Sequence, residues 1–184
     1  MAANTLEQYN RIRERCRDLF LKKTKDYGTA WRVLRPISVV DQIYIKAQRI
    51  RTIQDIGSQK IGDDIPGEYI GIINYSVIGL IQLELKETDP EELQVSEAER
   101  LYGKYFEAAH DLMQQKNHDY GEAWRNMSDE SFADLILMKL QRMRQILVNK
   151  GKTLVSEGLD ANYYDMINYS VFALIMMEEK KTRV

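Results

Sequence analysis

Residues 25–32 read KDYGTAWR and residues 118–125 read HDYGEAWR, 93 positions later. The only two tryptophans of the chain sit inside these stretches. The echo extends well beyond eight letters. Residues 23–53 align without a gap to residues 116–146, with about half of the positions identical. Asp26, Tyr27, Gly28, Ala30, Trp31 and Arg32 meet Asp119, Tyr120, Gly121, Ala123, Trp124 and Arg125. Ser38, Asp41, Lys46, Gln48, Arg49 and Arg51 meet Ser131, Asp134, Lys139, Gln141, Arg142 and Arg144. One inserted residue later, YIGIINYSVIGLI at 69–81 meets YYDMINYSVFALI at 163–175. The chain is a tandem duplication, and a repeat of this length sets the whole fold.

Each copy carries three helical segments. Leu6, Tyr9, Ile12, Cys16, Leu19 and Phe20 recur at spacings of three and four, and so do Leu101, Tyr105, Ala109, Leu112 and Met113. The second segments open on Ser38-x-x-Asp41 and Ser131-x-x-Asp134, which predicts a helix N-cap at each serine. The third segments, from about Glu68 and Asn162, are apolar almost all round, so neighbouring helices must cover them on every side. Pro90 and the acidic run after it mark the join between copies. Strand-like alternation is weak, and three prolines are too few for a turn-rich β protein. The expected fold is all-α: two three-helix repeats, residues 1–89 and 90–184, packed into one bundle of about six main helices.

Bulk properties narrow the function classes. A net charge of −2 gives no global basic field for nucleic acid. The charged first twenty residues fit neither a signal peptide nor a membrane span. A lone cysteine, Cys16, points to a reducing cytoplasm. Two histidines and one cysteine leave no zinc-type cluster.

Packing accounts for many of the repeated residues. Tyr27, Trp31, Tyr120 and Trp124 read as plugs between helices. Gly28 and Gly121 read as positive-φ turn residues. Asp26 and Asp119 read as acceptors for backbone donors in that turn, and Asn74 and Asn168 as pins between buried helices. The lysines are harder to assign to packing. Lys46 and Lys139 project onto the apolar arc of the second helix, with Arg49 and Arg142 at its edge. A buried ammonium needs an acid or an anionic ligand. The acids on neighbouring segments are Asp26, Asp119, Glu68 and Asp165. On the third helix Glu68, Gly71 and Asn74 share one side, and their counterparts are Asn162, Asp165 and Asn168. The two copies thus split an E-x-x-D pattern between them. Such carboxylates suit either Mg²⁺ or the lysines as counter-ions.

The motifs DYG-x-AW and INYSV, in both copies, resemble the nucleotide-modification-associated helical domain, a domain of unknown function. That family is similar, more distantly, to the MazG-like all-α nucleoside triphosphate pyrophosphohydrolases. The resemblance implies a nucleotide or other phosphate-bearing small molecule as ligand, beside the charge-based expectation of no membrane partner and no direct nucleic-acid signal. It also implies Mg²⁺ held by Glu68 and Asp165, with Glu157 and Asp160 as a second E-x-x-D. Lys46, Lys139, Glu68 and Asp165 would then be catalytic. Arg49, Arg142, Asp26, Asp119, Trp31, Trp124, Arg32, Arg125, Asn74 and Asn168 would contact substrate. The second helices carry no E-x-x-E, and neither copy holds both acids of E-x-x-D. Two readings therefore stand side by side. One is a Mg²⁺-dependent hydrolase of a nucleotide phosphoanhydride. The other is a non-catalytic nucleotide-binding, regulatory or structural module with a degenerate metal site. A fused pair of copies also mimics a homodimer, and pairing of whole chains through the first helices is a further expectation.

Overall fold

Each copy begins with a long helix that stops at a glycine. The computed structural model describes residues 3–58, 60, 62 and 64–182. Helix α1 spans Ala3–Tyr27 and ends where Gly28 takes φ 67° and its N–H donates to the Thr24 carbonyl at 2.8 Å. Its counterpart α4, Val95–Tyr120, ends in the same way at Gly121, with φ 60°. A side chain is strained in this left-handed region, which is why glycine closes both helices. A short 3-10 turn follows in each copy, Ala30–Val33 and Ala123–Asn126, and carries the tryptophan inward.

The second helices are α2, Pro36–Ile56, and α5, Asp129–Val148. Their starts differ from the expectation. Arg35 and Ser128 are the N-caps, and neither bonds through its side chain. Ser38 and Ser131 lie inside the first turn. Pro36 begins α2 earlier because its fixed φ suits a first helical position. In α5, Asp129 and Glu130 favour the positive helix terminus. The third helices are α3, Ile65–Glu84, capped by the Asp64 carboxylate, and α6, Leu159–Thr182. Six α-helices and no strand occur among the described residues. None of these helices is long and apolar enough to cross a membrane.

Helices α3 and α6 pack against each other, α2 packs on α3 and on α5, and α5 packs on α6. The expectation for the third segments holds: Ile72, Ile73, Val77, Leu80 and Ile81 of α3 are buried, as are Met166, Ile167, Val171, Leu174 and Ile175 of α6. Buried polar bonds cross from one copy to the other. The Tyr102 hydroxyl on α4 donates to Asn74 Oδ1 at 2.7 Å, and Tyr9 on α1 donates to Asn168 Oδ1 at 2.8 Å. Each asparagine also donates to the first helix of its own copy, at the Cys16 and Ala109 carbonyls. Asn74 and Asn168 are therefore pins, as one of the two expectations had it. Reciprocal ion pairs join α2 and α5: Arg144 to Asp41 at 2.9 Å and Arg51 to Asp134 at 3.6 Å. Such exchanged pairs are the mark of an isologous interface, here formed within one chain. Cys16 lies fully buried in this core, and burial pushes its thiol up to about 12, so it stays protonated and unreactive.

Two of the expected core plugs lie elsewhere. Trp31 and Trp124 are buried, but Tyr27 and Tyr120 are 58% and 72% exposed. Both tyrosines occupy the last position before the glycine, where the helix has run past the core.

Candidate functional site

In the first copy, the last turns of α1, the DYG turn, α2 and the start of α3 do not close on each other. They leave a cavity of about 730 Å³. Its aromatic wall includes Phe20, Tyr27, Trp31 and Tyr75, and Lys23 and Lys46 also line it. Glu68, Gly71 and Asn74 line the α3 side, so the predicted shared face of that helix is the face the cavity sees. Gly71 is a close approach: a Cβ there would lie 2.8 Å from Cδ and Cε of Lys46.

The charges form one cluster on this side. Arg49 pairs with Glu68, and Lys46 lies 3.6 Å from the other Glu68 oxygen. The Lys46 ammonium also stands 5.9 Å from the centre of the Tyr75 ring. Lys23, at the cavity mouth, makes no ion pair among the described residues. Burial of Tyr75 holds its phenol above the ordinary value, so it is neutral there.

In the equivalent region of the second copy the lysines meet an acid of the protein itself. Asp165 stands where the first copy has Gly71, and its two oxygens receive Lys139 at 2.7 Å and Lys116 at 2.6 Å. Desolvation acts against the Lys116 charge, but the hydrogen bond and negative charge of Asp165 outweigh it and raise its pKa. Phe172 replaces Ile78 and stacks on Trp124 with ring centres 4.3 Å apart. Asn117 replaces Thr24 and accepts the Trp124 indole N–H at 3.2 Å. In the first copy Thr24 bonds back to the Phe20 carbonyl instead, and the buried Trp31 indole N–H has no partner.

Several expected site residues have other surroundings. Asp26 and Asp119 are exposed, and among the described residues they pair with neither lysine and Asp119 meets only His118. Arg142 is exposed, unlike Arg49, and Lys116 rather than Arg142 completes the second cluster. Arg32 donates to the carbonyls of Pro90 and Lys86 and to Gln82, which ties the linker between copies to the turn. Arg125 donates to Glu179, Thr5 and Gln8 and fastens the two chain ends to the turn. Trp124 is closed in by Phe172, whereas Trp31 borders the cavity. Lys23 and Lys116 were missed by sequence reasoning. Their signal was available, since they head the aligned block, but a lysine on the exposed side of an amphipathic helix reads as solvated.

The residues expected to hold Mg²⁺ do not form a set. Glu68 is neutralised by Arg49 and Lys46, and Asp165 by Lys116 and Lys139. Glu157 and Asp160 are exposed, and Asp160 borders a different hollow with Lys104 and Tyr164. Mg²⁺ needs carboxylate oxygens free to turn toward it, and here ammonium and guanidinium groups occupy them. Among the described residues, the one grouping of three potential ligands is Glu107, His110 and Asp111 on α4, away from the cavity.

A family model described as nucleotide modification associated domain 1 matches residues 23–83 and again residues 116–177. The chain belongs to that family. Each of its two domain copies starts at the overlooked lysine, Lys23 or Lys116, and runs through the tryptophan turn and the second and third helices. The family domain thus contains the whole charged cluster of each copy. No curated protein and no solved structure matches the chain.

Proposed function

We propose that this protein binds a phosphorylated nucleotide in the cavity of its first copy and does not hydrolyse it. One observation carries the reading: one cavity is lined by aromatic rings and two lysines, of which Lys23 has no acidic partner among the described residues and Lys46 only a loose one. Lysine serves phosphate as a mobile point charge. A base laid against the exposed Tyr27 ring gains about 1–3 kcal/mol from stacking. The family's association with nucleotide modification agrees with this ligand class.

In the hydrolytic reading Lys46, Lys139, Glu68 and Asp165 are the catalytic residues. Glu68 and Asp165 are held in two separate cation clusters, which speaks against their sharing one metal. A Mg²⁺-bound triphosphate would arrive with its ion already on the phosphates.

The test is thermal unfolding of the full chain against ordinary and base-modified nucleosides and their mono-, di- and triphosphates, with and without Mg²⁺ or Mn²⁺. Mass spectrometry of the same mixtures reports turnover. At a hundredfold excess over the dissociation constant, binding stabilises by about 2.7 kcal/mol, which raises the melting temperature by roughly 5–10 °C. The expected result is such a rise with a phosphorylated ligand, a smaller one with its nucleoside, and no product. Release of monophosphate with pyrophosphate would overturn the non-catalytic part. No shift with any nucleotide would overturn the whole reading.

A further inference from the structure

The two copies differ in the acid that meets their lysine pair. In the second copy the Asp165 carboxylate lies between Lys116 and Lys139, 2.6 and 2.7 Å from their ammonium groups. The first copy keeps both cations, as Lys23 and Lys46, but has Gly71 in place of the aspartate. Its own acid, Glu68, is displaced one helical turn toward the start of α3, where Arg49 holds one of its oxygens. The removal of one carboxylate leaves one ammonium at the cavity without an acid. Two smaller side chains accompany the change, Ile78 for Phe172 and Thr24 for Asn117, and the Trp31 indole N–H is unpartnered where that of Trp124 is satisfied.

We infer that an anionic group of the ligand bridges Lys23 and Lys46 on the Gly71 side of the cavity, as the Asp165 carboxylate bridges Lys116 and Lys139 in the second copy, and that the flexible Lys46 stem, which lies over Gly71, gives way to admit it. The second copy is thereby the self-occupied form of the first, and the chain has one such site rather than two. The placement rests on the proposed cavity ligand only for the identity of the rest of the molecule. The shared chemistry is a compact oxyanion, carboxylate or phosphate, with room for a larger body toward Tyr27 and Trp31.

Calorimetric titration of the full chain distinguishes the outcomes, with inorganic phosphate, pyrophosphate, acetate and the best nucleotide of the panel as probes. Three variants accompany it: Gly71→Asp, which supplies the internal anion; Gly71→Ala, which adds bulk without charge; and Lys23→Gln. Loss of an ionic hydrogen bond predicts at least about tenfold weaker oxyanion binding in Lys23→Gln and in Gly71→Asp. Gly71→Ala falls less, since the flexible Lys46 stem can give way. Gly71→Asp also melts no lower than Gly71→Ala, because its carboxylate meets two ammonium groups. If the nucleotide binds all variants equally, the nucleotide reading stands and the placement is wrong. If oxyanions bind in a Gly71→Asp-sensitive manner while nucleotides add nothing, the placement stands and the nucleotide reading is wrong. Absence of any binding, together with a Gly71→Asp variant that melts below Gly71→Ala, would overturn both.

Discussion

Asp165→Ala should lower the melting temperature of the chain by roughly 6–20 °C, measured by calorimetry or circular dichroism. The Lys139 side chain is 10% exposed and Asp165 is the acid that faces it. Truncating one partner of a buried pair strands the other charge, at a cost of about 3–5 kcal/mol. Lys116 suffers less, since its side chain is 47% exposed and can turn to water. Glu68→Ala should cost less than Asp165→Ala, because the side chains of Lys46 and Arg49 are 28% and 21% exposed. A double variant, Lys139→Met with Asp165→Leu, should recover most of the loss, as replacement of both buried partners by apolar groups often does. An Asp165→Ala protein that melts within about 2 °C of wild type, a change below 1 kcal/mol, would mean that Lys139 reaches solvent by another route.

The second large effect concerns the duplication. Residues 1–89 alone, or 90–184 alone, should form no folded monomer, and an equimolar mixture should restore a cooperative transition. The reason lies in α3 and α6. Ile72, Ile73, Val77, Leu80 and Ile81 are buried in a bundle that includes the other copy, and each such side chain returned to water forfeits about 1.5–3 kcal/mol. Even a few of them consume the 5–15 kcal/mol that keeps a typical domain folded. Separation also breaks the Tyr102–Asn74 and Tyr9–Asn168 bonds, leaving buried asparagine oxygens without donors. A cooperative, concentration-independent melting of residues 1–89 would contradict this interdependence.

Much of this arrangement is written in the sequence, and the rest fails to show for definable reasons. The all-α class and the three-helix repeat follow from residues held equal at fixed offset, because a duplicated pattern reports twice on the same constraint. The burial of Lys139 follows from its place on an apolar arc. The positive φ at Gly28 and Gly121 follows from a helix that ends in front of another. Helix starts are less legible: Ser38 and Ser131 look like caps, but Pro36 and the Asp129–Glu130 pair move the first turn earlier. Tyr27 and Tyr120 look like core, since periodicity does not tell where a helix outruns what it packs on. Arg32 and Arg125 look like ligand contacts, yet their acceptors are carbonyls of a linker and residues at the chain ends, which local sequence does not bring near. Glu157-x-x-Asp160 spells a metal pattern, but Glu157 falls in the loop before α6 and Asp160 in its first turn, and both are exposed. The difference that matters most between the copies, Gly71 against Asp165, gains meaning only once the two lysine clusters are seen in space.

The most direct test of the central claim, that one copy is open to a phosphorylated ligand and the other is closed by its own aspartate, is the stoichiometry of nucleotide binding to the full chain. Isothermal titration should give one nucleotide per chain, with affinity that weakens as salt screens the two lysines. Two equivalent sites per chain, or no binding across the panel of nucleotides, would contradict it.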